Sequence, residues 1–163
     1  MAAPRGRAYI SAGDEMEHAR LRRAVEVLKA LANPSRLRIL GMLASGELCV
    51  CQITAVLGLA VSTVSAHLAE LRRAGLVTEH RSGRFVGYRL AEGAPAAALL
   101  DEVWELAARD AQLDQDAALV HRLRGLAREE LCQADMDLGM LGLGPTRPAG
   151  QEGRRWKPQP PSR

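Results

Sequence analysis

Apolar positions recur along the first third of the chain at helical spacing. Leu21, Val25, Leu28 and Ala32 are separated by 4, 3 and 4 residues, one face of a helix that begins at Asp14. Asn33-Pro34 ends it and opens a second helix, since Asn is a good N-cap and Pro suits the first helical position. Leu37, Ile39, Leu40 and Leu43 give that helix its buried side, and Ser45-Gly46 closes it. A short apolar run over residues 50–57 is broken by Gly58. Ser62 then reads as the N-cap of a helix with Val64, Leu68 and Leu71 as its stripe, ended by Gly75. Two short helices joined by a Gly-containing turn are a helix-turn-helix. The period then changes to 2. Residues 76–81 and 85–90 read as strands, with Ser82, Gly83 and Arg84 as a tight turn. A hairpin directly after a helix-turn-helix is a wing.

Further helices are expected over residues 95–109 (Leu99, Leu100, Val103, Trp104, Leu106) and 114–134 (Leu119, Leu123, Leu126, Leu131). The last 25 residues hold 5 Gly and 5 Pro, too many for packed structure. The resulting fold class is mainly α with a small β-hairpin, a winged helix-turn-helix. Its expected organisation is a flexible N-terminus over 1–13, the winged-helix and dimerisation unit over 14–110, a C-terminal helix over 111–138, and a disordered basic tail over 139–163. The first helix and the helix after the wing are extra to the reading unit. Their apolar stripes are the expected homodimer surface.

Composition narrows the class further. The chain has 163 residues, 47% hydrophobic and 25% charged, in the range of a soluble globular domain with appendages. No run approaches the length of a membrane span, and the N-terminus lacks a signal-peptide core, so a cytoplasmic protein with no membrane partner is expected. Three cysteines do not make a disulfide framework. No catalytic Ser/His/Asp set, phosphate-binding Gly loop or carboxylate pair stands out, so no enzyme and no organic cofactor are expected. Charge is unevenly spread. Residues 1–60 carry 8 basic and 5 acidic groups and residues 61–90 carry 5 and 2, whereas residues 91–138 carry 4 and 11. A basic first half points to a polyanion.

That polyanion is expected to be double-stranded operator DNA. The second helix of the pair enters the major groove with its N-terminal residues at base edges. Its non-core positions there are Ser62, Thr63, Ser65, Ala66 and His67, with Arg72 and Arg73 behind them. The wing adds Arg81, Arg84 and Arg89, and Arg84 at its tip can reach a minor groove or a phosphate. The tail arginines and lysine (Arg147, Arg154, Arg155, Lys157) read as a solubilising end, or as extra phosphate affinity.

The segment Glu47-Leu48-Cys49-Val50-Cys51 lies at the start of the first helix of the pair. Together with Asn33-Pro34-Ser35-Arg36-Leu37-Arg38-Ile39-Leu40 and Ser62-Thr63-Val64-Ser65-Ala66-His67-Leu68, it resembles the ArsR/SmtB family of metal-responsive winged-helix repressors, over roughly residues 28–90. The cysteines are similar to those of the arsenic-sensing branch. That resemblance implies a homodimer that represses arsenic-resistance genes and leaves its operator when trivalent arsenic or antimony binds Cys49 and Cys51. Thiolates do select such soft centres. Where the branch commonly has a third cysteine, this chain has Thr54. The remaining cysteine, Cys132, is either a third ligand or a small buried residue. The family's carboxylate and His zinc site is not matched, because Asp101 is followed by Val103 rather than His, and the only later His is His121.

Two cysteines two apart lie about 200° apart around a regular helix, but on one side of an extended strand. Joint capture of one metalloid therefore requires the first turn of this helix to be open or to unwind. Two other uses of the pair remain: a redox switch through a strained, reducible Cys49–Cys51 disulfide, and a thiol oxidoreductase or metal carrier. The latter conflicts with the Cys-X-Cys spacing and the absence of a βαβ pattern.

Overall fold

A computed structural model describes residues 12–83, 85–93 and 96–144. Residues 1–11, Arg84 and the tail from residue 145, including Arg147, Arg154, Arg155 and Lys157, for which the sequence raises expectations, lie outside the described residues.

The first helix, α1 (Ala12–Leu31), is followed at once by α2 (Pro34–Ala44). The junction is built as the sequence dictates. The Asn33 side chain accepts the Arg36 N–H at 3.1 Å, and Pro34 occupies the first turn. Arg36 then turns back. Its guanidinium donates to the carbonyls of Ala30 at 2.7 Å and Lys29 at 2.6 Å, two acceptors that the end of α1 leaves without helical partners. Among the described side chains of α1 only Val27, Ala30 and Leu31 are buried, while Leu21, Val25 and Leu28 of the expected stripe are exposed.

A two-residue strand, β1 (Leu48–Cys49), leads into α3 (Val50–Leu57), and α4 (Val61–Arg73) follows across a short turn. Gly58 ends α3 in the left-handed conformation, φ +63°, its N–H bonded to the Thr54 carbonyl at 2.9 Å. The Ser62 cap is corrected. Ala60 is the N-cap, its extended backbone carbonyl accepting from Thr63 and Val64, so the helix has already begun when the chain reaches Ser62. At the far end Gly75 adopts φ +67°, with Leu76 N–H bonded to the Leu71 carbonyl and Gly75 N–H to that of Arg72, a Schellman closure.

The wing strands are β2 (Val77–Ser82) and β3 (Phe85–Leu90), antiparallel with Ser82 opposite Phe85. The sheet order is β1-β3-β2, with Leu48 opposite Tyr88 and Cys49 opposite Gly87. Ile39, Leu40, Leu43, Leu48, Ile53, Leu57, Val64, Leu68, Leu71 and Leu76 interlock beneath this sheet as the core.

Three helices follow: α5 (Ala97–Leu106), α6 (Ala111–Leu123) and α7 (Arg128–Gln133). Two expectations are corrected here. The post-wing helix is shorter than residues 95–109, because Arg109 takes a left-handed backbone (φ +72°) and Asp110 starts the next helix, its carboxylate accepting from Gln112 and Leu113 N–H. The expected single helix over 114–134 is two helices. They separate at Gly125, and Glu130 caps the start of α7 by accepting the Ala127 N–H at 3.2 Å. Residues 139–144, assigned to the tail, form turns that return along α6, where Arg122 donates to the carbonyls of Gly142 and Leu143, both at 3.3 Å.

Helix α3 is buried on every side from Gln52 to Leu57. Helices α2 and α4 pack on one flank, and α6 and α7 on the other. Arg38 on α2 fixes α6 by a two-pronged pair with Asp116, at 2.6 and 2.7 Å, and Gln112 adds a third bond to the same carboxylate at 3.0 Å. No described helix is by itself long and apolar enough to cross a membrane.

Asp116→Ala strands the Arg38 charge and should cost about 3 kcal/mol in urea unfolding, whereas Arg38→Met with Asp116→Leu should recover most of that loss.

Candidate functional site

Helix α4 presents Ser62, Ser65 and Ala66 to solvent, with Thr63 and His67 half-buried beside them. Val64, Leu68 and Leu71 face inward, so the outward set follows from the helical period alone. Ala60 offers no side-chain cap, which leaves the first-turn N–H groups of α4 without a side-chain acceptor. Burial, reinforced by the Arg36 charge, pushes the His67 imidazole below its ordinary value. At pH 7 it is therefore neutral, one donor and one acceptor.

Arg72, Arg73 and Arg81 lie apart from that tip. The end of α4 is about 15 Å from Ser62 at 1.5 Å per residue. There Glu79 on β2 collects Arg72 in a close pair and Arg81 at 3.8 Å. Burial first, then the Glu79 charge, raises the Tyr88 phenol above its usual range. Arg73 pairs with Glu70 at 3.0 Å, and its carbonyl accepts from Arg23 of α1 at 3.1 Å. Arg89 pairs with Glu92 at 3.7 Å. The expected DNA-facing residues thus form two groups, a short-side-chain helix tip and a cationic cluster where helix and wing meet. Glu79, which links that cluster, was missed because a lone strand Glu has no motif around it.

The two cysteines straddle a junction. Cys49 belongs to β1 and is the N-cap of α3, with extended backbone (φ −83°, ψ 161°) and 1% exposure. Cys51 is in the first turn of α3 and half-buried, and neither cysteine is in a disulfide. Gln52 holds the junction, its Oε1 accepting the Cys49 N–H at 2.9 Å. The expectation is that joint capture needs the first turn of this helix to be open or to unwind, and the first thiol of the pair stands on extended backbone. Cys49 is already outside the helix, and both cysteines border one cleft of 530 Å3. Phe85 and Val86 of the wing and Glu129 and Gln133 of α7 line the rest. Cys132 is on α7 between these last two positions. Its side chain is not described, and among the described residues no three His, Cys, Asp or Glu groups converge as a metal site.

A helix-turn-helix with its wing, and a thiol pair at the foot of its first helix, define a winged-helix regulator. Residues 33–79 match the family described as "Bacterial regulatory protein, arsR family". The chain is 37% identical over 114 residues to the arsenical resistance operon repressor of Escherichia coli K12, an alignment that spans 68% of this chain and 90% of that protein. It is 46% identical over 65 residues to the arsenic resistance transcriptional regulator ArsR1 of Pseudomonas putida KT2440, spanning 39% of this chain and 51% of that one. Among solved structures it resembles the homodimeric winged helix-turn-helix DNA-binding domain Mb0332 from Mycobacterium bovis. The identity is 39%, coverage is 62% of this chain and 90% of that chain, and the TM-score is 0.53. The chain belongs to the arsR family of bacterial transcriptional regulators.

Gln52→Ala should cost about 1–2 kcal/mol by leaving the buried Cys49 N–H unpaired, and hydrogen exchange should quicken at the Cys49 amide while that of Leu68 is unchanged.

Proposed function

We propose that this protein is a homodimeric repressor of arsenic-resistance genes, released from double-stranded operator DNA when trivalent arsenic or antimony binds Cys49 and Cys51. The observation that carries this reading is the shared cleft. Two thiols two residues apart border one space, one on extended backbone and one in the first turn of the helix that precedes the reading helix. Soft trivalent centres suit such a pair. The relatives named for arsenic resistance support the same ligand.

Cys132 is the third ligand in this reading, because α7 closes the cleft from the opposite side. Capture acts on two parts of the reading unit at once. The Cys49 backbone is paired to Gly87 of the wing, and Cys51 is in α3, whose far end leads through Gly58 into α4. Drawing the sulfurs onto one centre disturbs the Gln52 cap and with it the position of wing and reading helix, which is how a ligand with different affinity for two states shifts an equilibrium. The tip residues Ser62, Thr63, Ser65, Ala66 and His67 read base edges. Arg72, Arg73 and Arg81, together with Arg84, hold phosphates. Exposed Leu21, Val25 and Leu28 on α1 and Leu99 and Leu106 on α5 supply the surface for a second copy.

In a fluorescence anisotropy assay on the upstream promoter, arsenite should release the native protein. It should not release Cys49→Ser with Cys51→Ser, and Cys132→Ser should weaken the response about tenfold or more. Release of the double variant by arsenite sinks the sensing site. Arg81→Ala should lower the salt slope of binding by about 1, and Glu79→Gln, which unpairs two guanidiniums, should tighten binding at low salt.

A further inference from the structure

The outward face of α4 is a narrow stripe. Ser62, Ala66, Ala69 and Arg73 are separated by 4, 3 and 4 residues, and all four are exposed. Ser62, Ala66 and Ala69 each stand two positions before a core residue, Val64, Leu68 and Leu71 in turn, and so lie about 200° from it around the helix. The stripe therefore points away from the core. With α4 in the major groove, the reading proposed above on which this rests, these are the side chains that reach the groove floor.

Guanine is read by a two-pronged Arg or by Lys, and adenine by a two-pronged Asn or Gln. Helix α4 contains no Lys, Asn or Gln. Its two arginines lie in the last turn and are engaged, Arg72 by Glu79 and Arg73 by Glu70 at 3.0 and 3.2 Å. His67 is half-buried and lies about 100° around the helix from Ala66, off the stripe. Ahead of Arg73 the stripe thus carries nothing longer than the Ser62 hydroxyl. Short side chains let a helix, about 10–12 Å across with ordinary ones, sit deep in a groove about 12 Å wide. Ala66 and Ala69 bring two methyl groups to the groove floor, about 4.5 Å apart along the axis. A methyl neither donates nor accepts a hydrogen bond, and the base-edge group it rewards there is the C5-methyl of thymine.

We infer that Ala66 and Ala69 set sequence specificity by packing against the C5-methyl groups of two thymines on neighbouring base pairs of each operator half-site. Successive base pairs are about 3.4 Å apart, so methyls at this separation meet adjacent steps. Ser62 and Ser65 border the pair with hydroxyls that either donate or accept, and so add contacts without choosing a base. Ala69 extends the reading set to a position beyond the helix tip, on the same face as Ser62 and Ala66.

Deoxyuridine pairs as thymidine does and lacks only the C5-methyl, so it probes this contact alone. Half-sites are selected by the full chain from a randomised duplex pool, and each thymine is then replaced singly by deoxyuridine in anisotropy titrations. Two positions per half-site should each lose about fourfold in affinity, the value of one buried methyl. Replacing either T·A pair by C·G should weaken binding, and 5-methylcytosine in the same place should recover about fourfold. In Ala66→Gly, and likewise in Ala69→Gly, one of the two deoxyuridine penalties should vanish while the other stays. The deoxyuridine and 5-methylcytosine arms use the native chain, so they decide the matter even where a glycine weakens the helix. Indifference to deoxyuridine at every position, selected half-sites without adjacent A·T pairs, or penalties that persist in both glycine variants would overturn the assignment while leaving α4 as the reading helix. Failure to select any sequence would overturn that reading as well.

Discussion

Helix α3 is only eight residues long, yet six consecutive residues of it, Gln52 to Leu57, are buried. A helix that is apolar on all sides has no solvent face to offer and must be enclosed. Helices α2 and α4, with strand β3 of the wing, cover one flank. The other is covered by α6 and α7, through Val120, Leu123 and Leu131. That enclosure is why the chain carries more than a minimal reading unit, and why Arg38 and Asp116 are paired where α2 meets α6. A buried ion pair adds little net stability against an apolar alternative, but it is intolerant of misplacement. It therefore fixes the angle at which the C-terminal helices seat on α3 more than it strengthens the seat.

Two spaces arise from the same enclosure. Where α7 crosses the start of α3, it closes the cleft that holds Cys49 and Cys51. Where the chain returns after α7, held by Arg122, it closes a second cavity along α3. One short helix thus has a soft, sulfur-bearing space at its first turn and another space toward its last. Its two ends are connected to different parts of the reading unit, β1 and the wing at one and the turn into α4 at the other.

The reading unit was legible because its signals are periodic and punctuated. The stripe Val64, Leu68, Leu71, the break at Gly58 and the change to period 2 after Gly75 each mark one element. Strand β1 was not legible, because two residues cannot display a period, and its pairing to Tyr88 and Gly87 is a tertiary matter. The same limit hid the extended state of Cys49. Ser62 carried a stronger capping preference than Ala60, but the register was decided by where Gly58 ended α3. Gly125 is tolerated inside helices often enough that the pattern from Leu119 to Leu131 ran straight through it. Glu129 and Gln133 have no local signature. They matter only because distant segments meet there.

Arg23 of α1 holds the carbonyl of Arg73, and a side chain at Gly75 would collide with that same guanidinium. The helix carrying the exposed leucines is thereby strapped to the rear of the reading helix. A second copy docked on those leucines would have its own reading helix placed by an identical strap. The separation of the two reading helices is then a rigid dimension of the pair rather than an adjustable one, and a duplex whose half-sites are out of phase with it by a few base pairs can engage only one of them.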